Sequence, residues 1–103
     1  MRKNFRAYQI AVEFYRLCTS IKLGRHLKDQ LQRAASSVAL NLAEGGGRSS
    51  AADQKHYFVI AFASLRECQA VLDLSEYVPD QAIQCADKLA AHLYRLIQNV
   101  AGH

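Results

Sequence analysis

At 103 residues the chain has room for one hydrophobic core and not two, and with half its residues apolar and a single proline it is no disordered or collagen-like polymer. A formal charge of +4 and a pI near 9.2 favour polyanions without dictating them. Three cysteines, an odd number with no C-x-x-C spacing, argue against a disulfide scaffold, and no apolar run approaches the ~18 residues of a membrane span.

Phe5 to Ser20 predicts a first helix. Its polar residues Arg6, Gln9, Glu13, Arg16 and Ser20 recur at steps of three and four and form one narrow stripe, with largely apolar residues between them. A helix of a lone bundle buries only about a third to a half of its circumference, so this one implies a second covering surface, most simply another copy of the chain. Leu27 to Glu44 predicts a second helix, with Leu27, Leu31, Ala34 or Ala35, Val38 and Leu42 inward and a small-residue ridge that admits a close neighbour.

Three glycines, Gly45, Gly46 and Gly47, then close that helix, on the expectation that glycine enters the left-handed region at a helix C-terminus. Asn41 and Glu44 stand in its last turn. An acid there opposes the helix dipole, so Glu44 is expected to have a partner such as Arg48, and Asn41, Glu44, the glycines and Arg48 together read as a structural hydrogen-bond cluster that fixes the turn.

Ser49 or Ser50 caps the third helix, with Asp53 placed as in a capping box. That helix spans residues 50–75 and contains an uncharged run from Tyr57 to Leu65. It is apolar around its whole circumference, which again implies self-association. The fourth helix starts near Pro79 and presents one ordinary stripe, Ala82, Ile83, Ala86, Leu89 or Ala90, Leu93, Leu96 or Ile97 and Val100. Short connections make all four antiparallel neighbours, an all-α, up-down-up-down four-helix bundle in a single domain, residues 1–103.

Charge is unevenly spread: residues 1–33 carry eight Lys/Arg against two acids, and residues 67–103 carry two against five. The up-down order sets the basic first loop beside the acidic third loop (Asp73, Glu76, Asp80). At the opposite end it gathers Arg2, Lys3, Arg6, Arg48 and Lys55 against Glu44 and Asp53. Those five basic residues are the candidate phosphate contacts of a nucleic acid, strengthened by amide groups after the glycine turn. The competing reading is that they solvate helix ends, and the rival function is a protein-interaction scaffold in which the acidic loop meets a neighbour's basic one.

Catalysis has no visible carrier. His26, His56, His92 and His103 are scattered without metal-ligand spacing, and the glycine run follows a helix and lacks the Gly-Lys-[Ser/Thr] ending of a phosphate loop. We expect no metal, no cofactor and no enzyme activity. Cys18, Cys68 and Cys85 sit among apolar neighbours and read as buried thiols of a reducing, cytoplasmic setting; no signal-like apolar segment follows Lys3.

The pattern Gln30-Leu31-x-Arg33-Ala34-Ala35-x-Ser37-Val38-x-x-Asn41-Leu42-Ala43-Glu44-Gly45, then Arg48, Phe58 and Ala61-x-x-Ser64-Leu65-x-Glu67, resembles the bacterial four helix bundle protein family, also called the ribosomal intervening-sequence or S23 family. The chain departs from it at residues 23–27, where the family carries a Phe-Pro-x-Glu-like segment, and at Ala63, where it more often has Gly. The resemblance implies a ring of five copies and an RNA or ribonucleoprotein role. A related accessory protein of diversity-generating retroelements partners a reverse transcriptase and binds nucleic acid, so a reverse transcriptase is a further implied partner.

Overall fold

The computed structural model describes residues 5–101 as four helices, α1 (Phe5–Ser20), α2 (Arg25–Gly46), α3 (Ala51–Asp73) and α4 (Asp80–Ala101). Each packs on its neighbours in sequence, and α1 closes the ring against α4. The antiparallel four-helix bundle follows from its connections: three loops of four to six residues cannot span the 42 Å length of the rod, so every helix must turn back on the one before.

Apolar residues at helical spacing build the core. Ile10 and Phe14 come from α1, Leu31, Val38 and Leu42 from α2, Phe58 and Leu65 from α3, Leu89 and Leu93 from α4, and all are buried. Each such side chain stabilises the fold by roughly 1.5–3 kcal/mol relative to exposure. Cys18, Cys68 and Cys85 are buried free thiols, as the sequence pattern predicts. Burial, with a smaller contribution from Cys85, pushes the Cys18 thiol up to about 12; burial likewise raises Cys68 and Cys85. These groups stay protonated and unreactive in the folded chain.

The ends of α2 and α3 differ from expectation. The second helix begins earlier and runs on through Gly45 and Gly46, while the third stops at Asp73. Pro79 stands just before α4, its carbonyl accepting from Ala82 N–H at 3.0 Å. Ile83, expected inward, is 44% exposed because it lies on the flank of α4 and not over the core.

Coverage of the two greasy helices also divides. On α1, Tyr8, Val12, Tyr15 and Leu17 are half-buried within the single chain. On α3 Phe58, Ala61, Leu65, Cys68, Val71 and Leu72 are buried, but Val59 and Ala63 remain exposed and Ile60 half-buried. No helix among the described residues is long and apolar enough to cross a membrane, and no His, Cys, Asp and Glu cluster there is arranged to hold a metal ion.

Candidate nucleic-acid interface at the glycine-turn end

The turn between α2 and α3 is built on closeness, not on left-handed backbone. No glycine among the described residues has positive φ. Gly47 caps α2 at φ −90°, ψ −4°, in the right-handed region, and the chain leaves the helix through tight bonds from Gly47 N–H to Glu44 O and from Arg48 N–H to Gly45 O, each 3.2 Å. The expectation that the glycines supply a left-handed cap is therefore wrong. Gly45 serves another purpose: a Cβ there would stand 2.7 Å from Phe58 Cε1 and 3.0 Å from Tyr57 Cβ. Only a residue without a side chain lets the last turn of α2 lie against the start of α3, and Gly46 beside it is buried too.

Glu44 has the partner expected of it. Its carboxylate accepts from Arg48 Nη2 at 2.7 Å, and the same nitrogen donates to Tyr57 Oη at 3.0 Å, with the guanidinium 4.9 Å from the Tyr57 ring centre. Arg48 thus ties the end of α2 to the start of α3. Ser50 caps α3 by accepting from Asp53 N–H at 3.1 Å, which satisfies one of the helix's free amides.

Asn41 does not join this turn. Its amide donates back to Ser37 O at 2.9 Å and to Ser37 Oγ at 3.1 Å, and Ser37 Oγ meets Ser64 Oγ across the helix pair at 2.8 Å. Ser37 Oγ accepts from Asn41 and can still either donate to or accept from Ser64. The result is a polar link between α2 and α3 on the bundle's flank, away from the loop.

Of the five candidate phosphate contacts, the up-down topology brings Arg6, Arg48 and Lys55 to one end, and all three are exposed. Arg2 and Lys3 lie outside the described residues. The Arg48–Glu44 contact is the only ion pair among the described residues, so Arg6 and Lys55 keep their charges unpaired, against one nearby acid, Asp53.

Residues 4–99, spanning all four helices, match the family described as 23S rRNA-intervening sequence protein. The chain belongs to that family. No curated protein and no solved structure matches it. Sequence reasoning missed two features of this intervening-sequence family member. Lys28, just after the first loop, donates from Nζ to the carbonyls of Cys18 (3.4 Å), Thr19 (2.6 Å) and Ile21, closing the C-terminus of α1 where free carbonyls and the helix dipole favour a cation. Its spacing from the end of α1 was the available signal. The second is the set of large apolar residues left outside the bundle, Leu40, Leu74, Tyr77 and Tyr94, all more than half exposed.

Proposed function

We propose that this family member is a non-catalytic, self-associating helical scaffold of the cytoplasm that binds RNA phosphates through the glycine-turn end of its bundle, with five copies as the number the resemblance implies. The observation that carries the reading is the unpaired state of Arg6 and Lys55 at an end whose nearest guanidinium, Arg48, is already committed to Glu44. The family's description, which names an intervening sequence of 23S rRNA, supports RNA over other polyanions. Repetition of the end by symmetry multiplies a modest charge into a site, since each phosphate neutralised on a single strand steepens the salt dependence by about 0.7.

Arg6→Gln with Lys55→Gln is the test. Binding to a fluorescent single-stranded RNA is expected to weaken by about tenfold or more at low salt, with the slope of log K against log salt falling by roughly 1.4 for each copy that touches the RNA. Unchanged affinity and slope, with assembly intact, would sink the phosphate-binding end. Arg48 is left alone in this test because its loss would also loosen the turn.

A further inference from the structure

The α2–α3 flank carries a polar groove that the glycine-turn end does not use. On α2, His26, Gln30, Arg33 and Ser37 recur at steps of four, three and four and so share one face. Ser64 and Glu67 line the groove with them from α3, and Ala34, 5% exposed, adds an apolar part to its wall. The 2.8 Å contact of Ser37 Oγ with Ser64 Oγ fixes the register. Because the helices run antiparallel, one turn back along α2 and one turn on along α3 lead toward the same end of the rod. Arg33 and Glu67 therefore stand near one level on opposite walls.

They do not pair. The Arg48–Glu44 contact is the only ion pair among the described residues, and the side chains of Gln30, Arg33 and Glu67 make no hydrogen bond there. The groove thus offers the forked N–H donors of Arg33 on one side and two acceptor-only carboxylate oxygens of Glu67 on the other. Guanine alone among the RNA bases matches both walls at once. Its N1–H and N2–H are neighbouring donors, and its O6 and N7 are neighbouring acceptors of the kind that a guanidinium engages in pairs. Adenine and cytosine each set a ring acceptor beside the amino group, and uracil places its N3–H between two carbonyls, so each turns a lone pair toward the carboxylate.

We infer that the α2–α3 groove is a base-reading subsite for a guanine of single-stranded RNA, with Glu67 accepting from N1–H and N2–H and Arg33 donating to O6 and N7. This rests on the RNA reading proposed above and adds a sequence preference to it. The source is a strand and not a free nucleotide because Arg33 and Glu67 are both exposed. Exposed charges hold little by themselves, whereas a tether to phosphate contacts supplies a local concentration on the order of mM. Ser37 lies eight residues from Gly45, roughly 12 Å along α2, and half-buried Asn41 continues the polar stripe between them. A strand held at the glycine-turn end reaches the groove along this flank.

Two fluorescent RNAs of equal length decide it, one of uridine alone and one with isolated guanosines between uridines, their affinities read by anisotropy. The unaltered chain is expected to bind the guanosine RNA about tenfold tighter, and inosine, which lacks the 2-amino group, should lose part of that preference. Glu67→Gln should bring the two affinities together and make inosine and guanosine equivalent, at unchanged helicity by circular dichroism. The ratio is the readout, because loss of one negative charge strengthens both RNAs alike. Equal binding of both RNAs by the unaltered chain, with a steep salt dependence, would overturn the groove and leave the phosphate-binding end standing. A preference that survives Glu67→Gln would also overturn it. Displacement of the strand by micromolar guanosine monophosphate would overturn the strand as the source. Binding to neither RNA would overturn both readings.

Discussion

Gly45→Ala separates close approach from backbone conformation as the reason for glycine at the turn. The new methyl would lie 2.7 Å from Phe58 Cε1 and 2.9 Å from Cδ1, and Phe58 is 2% exposed, so its ring has no room to swing aside. Overpacking of this kind costs about 1–3 kcal/mol. Alanine returns up to about 1 kcal/mol in helix propensity, less in a final turn. The net expectation is a loss of about 1–2 kcal/mol, or a melting temperature lower by about 4–8 °C for each kcal/mol in a domain of this size. Gly47→Ala is the control: its nearest neighbours would be 3.7 Å away, and φ −90°, ψ −4° suits any residue. It should be neutral or gain about 0.4–1 kcal/mol by restricting the unfolded chain. Urea unfolding of both variants gives the comparison. Phe58→Leu should cost less in the Gly45→Ala background than alone, because the two changes share one contact. If Gly47→Ala proves the more damaging, the argument from proximity is wrong.

Lys28→Met keeps the apolar stem but removes the cation from three carbonyls at the end of α1, and urea midpoints should show a loss of about 1–2 kcal/mol. Ser64→Ala leaves the Ser37 hydroxyl without its partner on α3, a loss of about 1 kcal/mol that Ser37→Ala should partly offset in the double variant, measured the same way. The thiols give a pH dependence of known sign. The unfolded chain releases the Cys18 proton near 9.0 and the folded chain holds it to about 12, so this contribution is fully present below pH 9 and falls across that window by roughly 1.4 kcal/mol per pH unit. Cys18→Ala should flatten the alkaline fall in unfolding free energy relative to the unaltered chain. Asp53→Asn keeps the backbone amide that Ser50 caps and removes the one unpaired acid near Arg6 and Lys55, so filter binding should show tighter RNA retention, with a stability cost of a few tenths of a kcal/mol, roughly.

Local physics was legible in the sequence. The bounds of α1, a serine cap at Ser49 or Ser50, the Glu44–Arg48 pair and the order of helices all follow from spacing and from chemistry within four residues. What escaped depends on neighbours in space. Glycine's poor helix propensity suggests an end at Glu44, yet α2 continues through Gly46 because contact with Phe58 and Tyr57 outweighs a propensity penalty of about 1 kcal/mol per residue. Asn41 bonds backward by one turn to Ser37, and the onward contact of Ser37 with Ser64 depends on another helix. Nothing in its own helix shows that Lys28 reaches the carbonyls at the end of α1. The exposure of Ile83 was hidden for the same reason: a heptad-like stripe fixes which residues share a face, but only the position of α3 decides how far that face is covered.

The sign of the potential at the glycine-turn end is a matter of side chains alone. The bundle sets the N-termini of α1 and α3 beside the C-termini of α2 and α4 there, and partial charges of about +0.5 and −0.5 at alternating corners cancel. Arg48 contributes little net field because Glu44 sits 2.7 Å away. What remains among the described residues is Arg6 and Lys55 against Asp53, a balance of one positive charge in each copy. One exposed charge is screened beyond about 8–10 Å at physiological salt and does not by itself hold RNA. On the proposed reading, affinity for a polyanion therefore requires several copies whose charges add along one strand. This couples assembly to binding: a variant that sediments as a single chain should also lose RNA retention, even with Arg6 and Lys55 untouched. Full retention by such a variant would show that the basic end acts alone and that assembly serves another purpose.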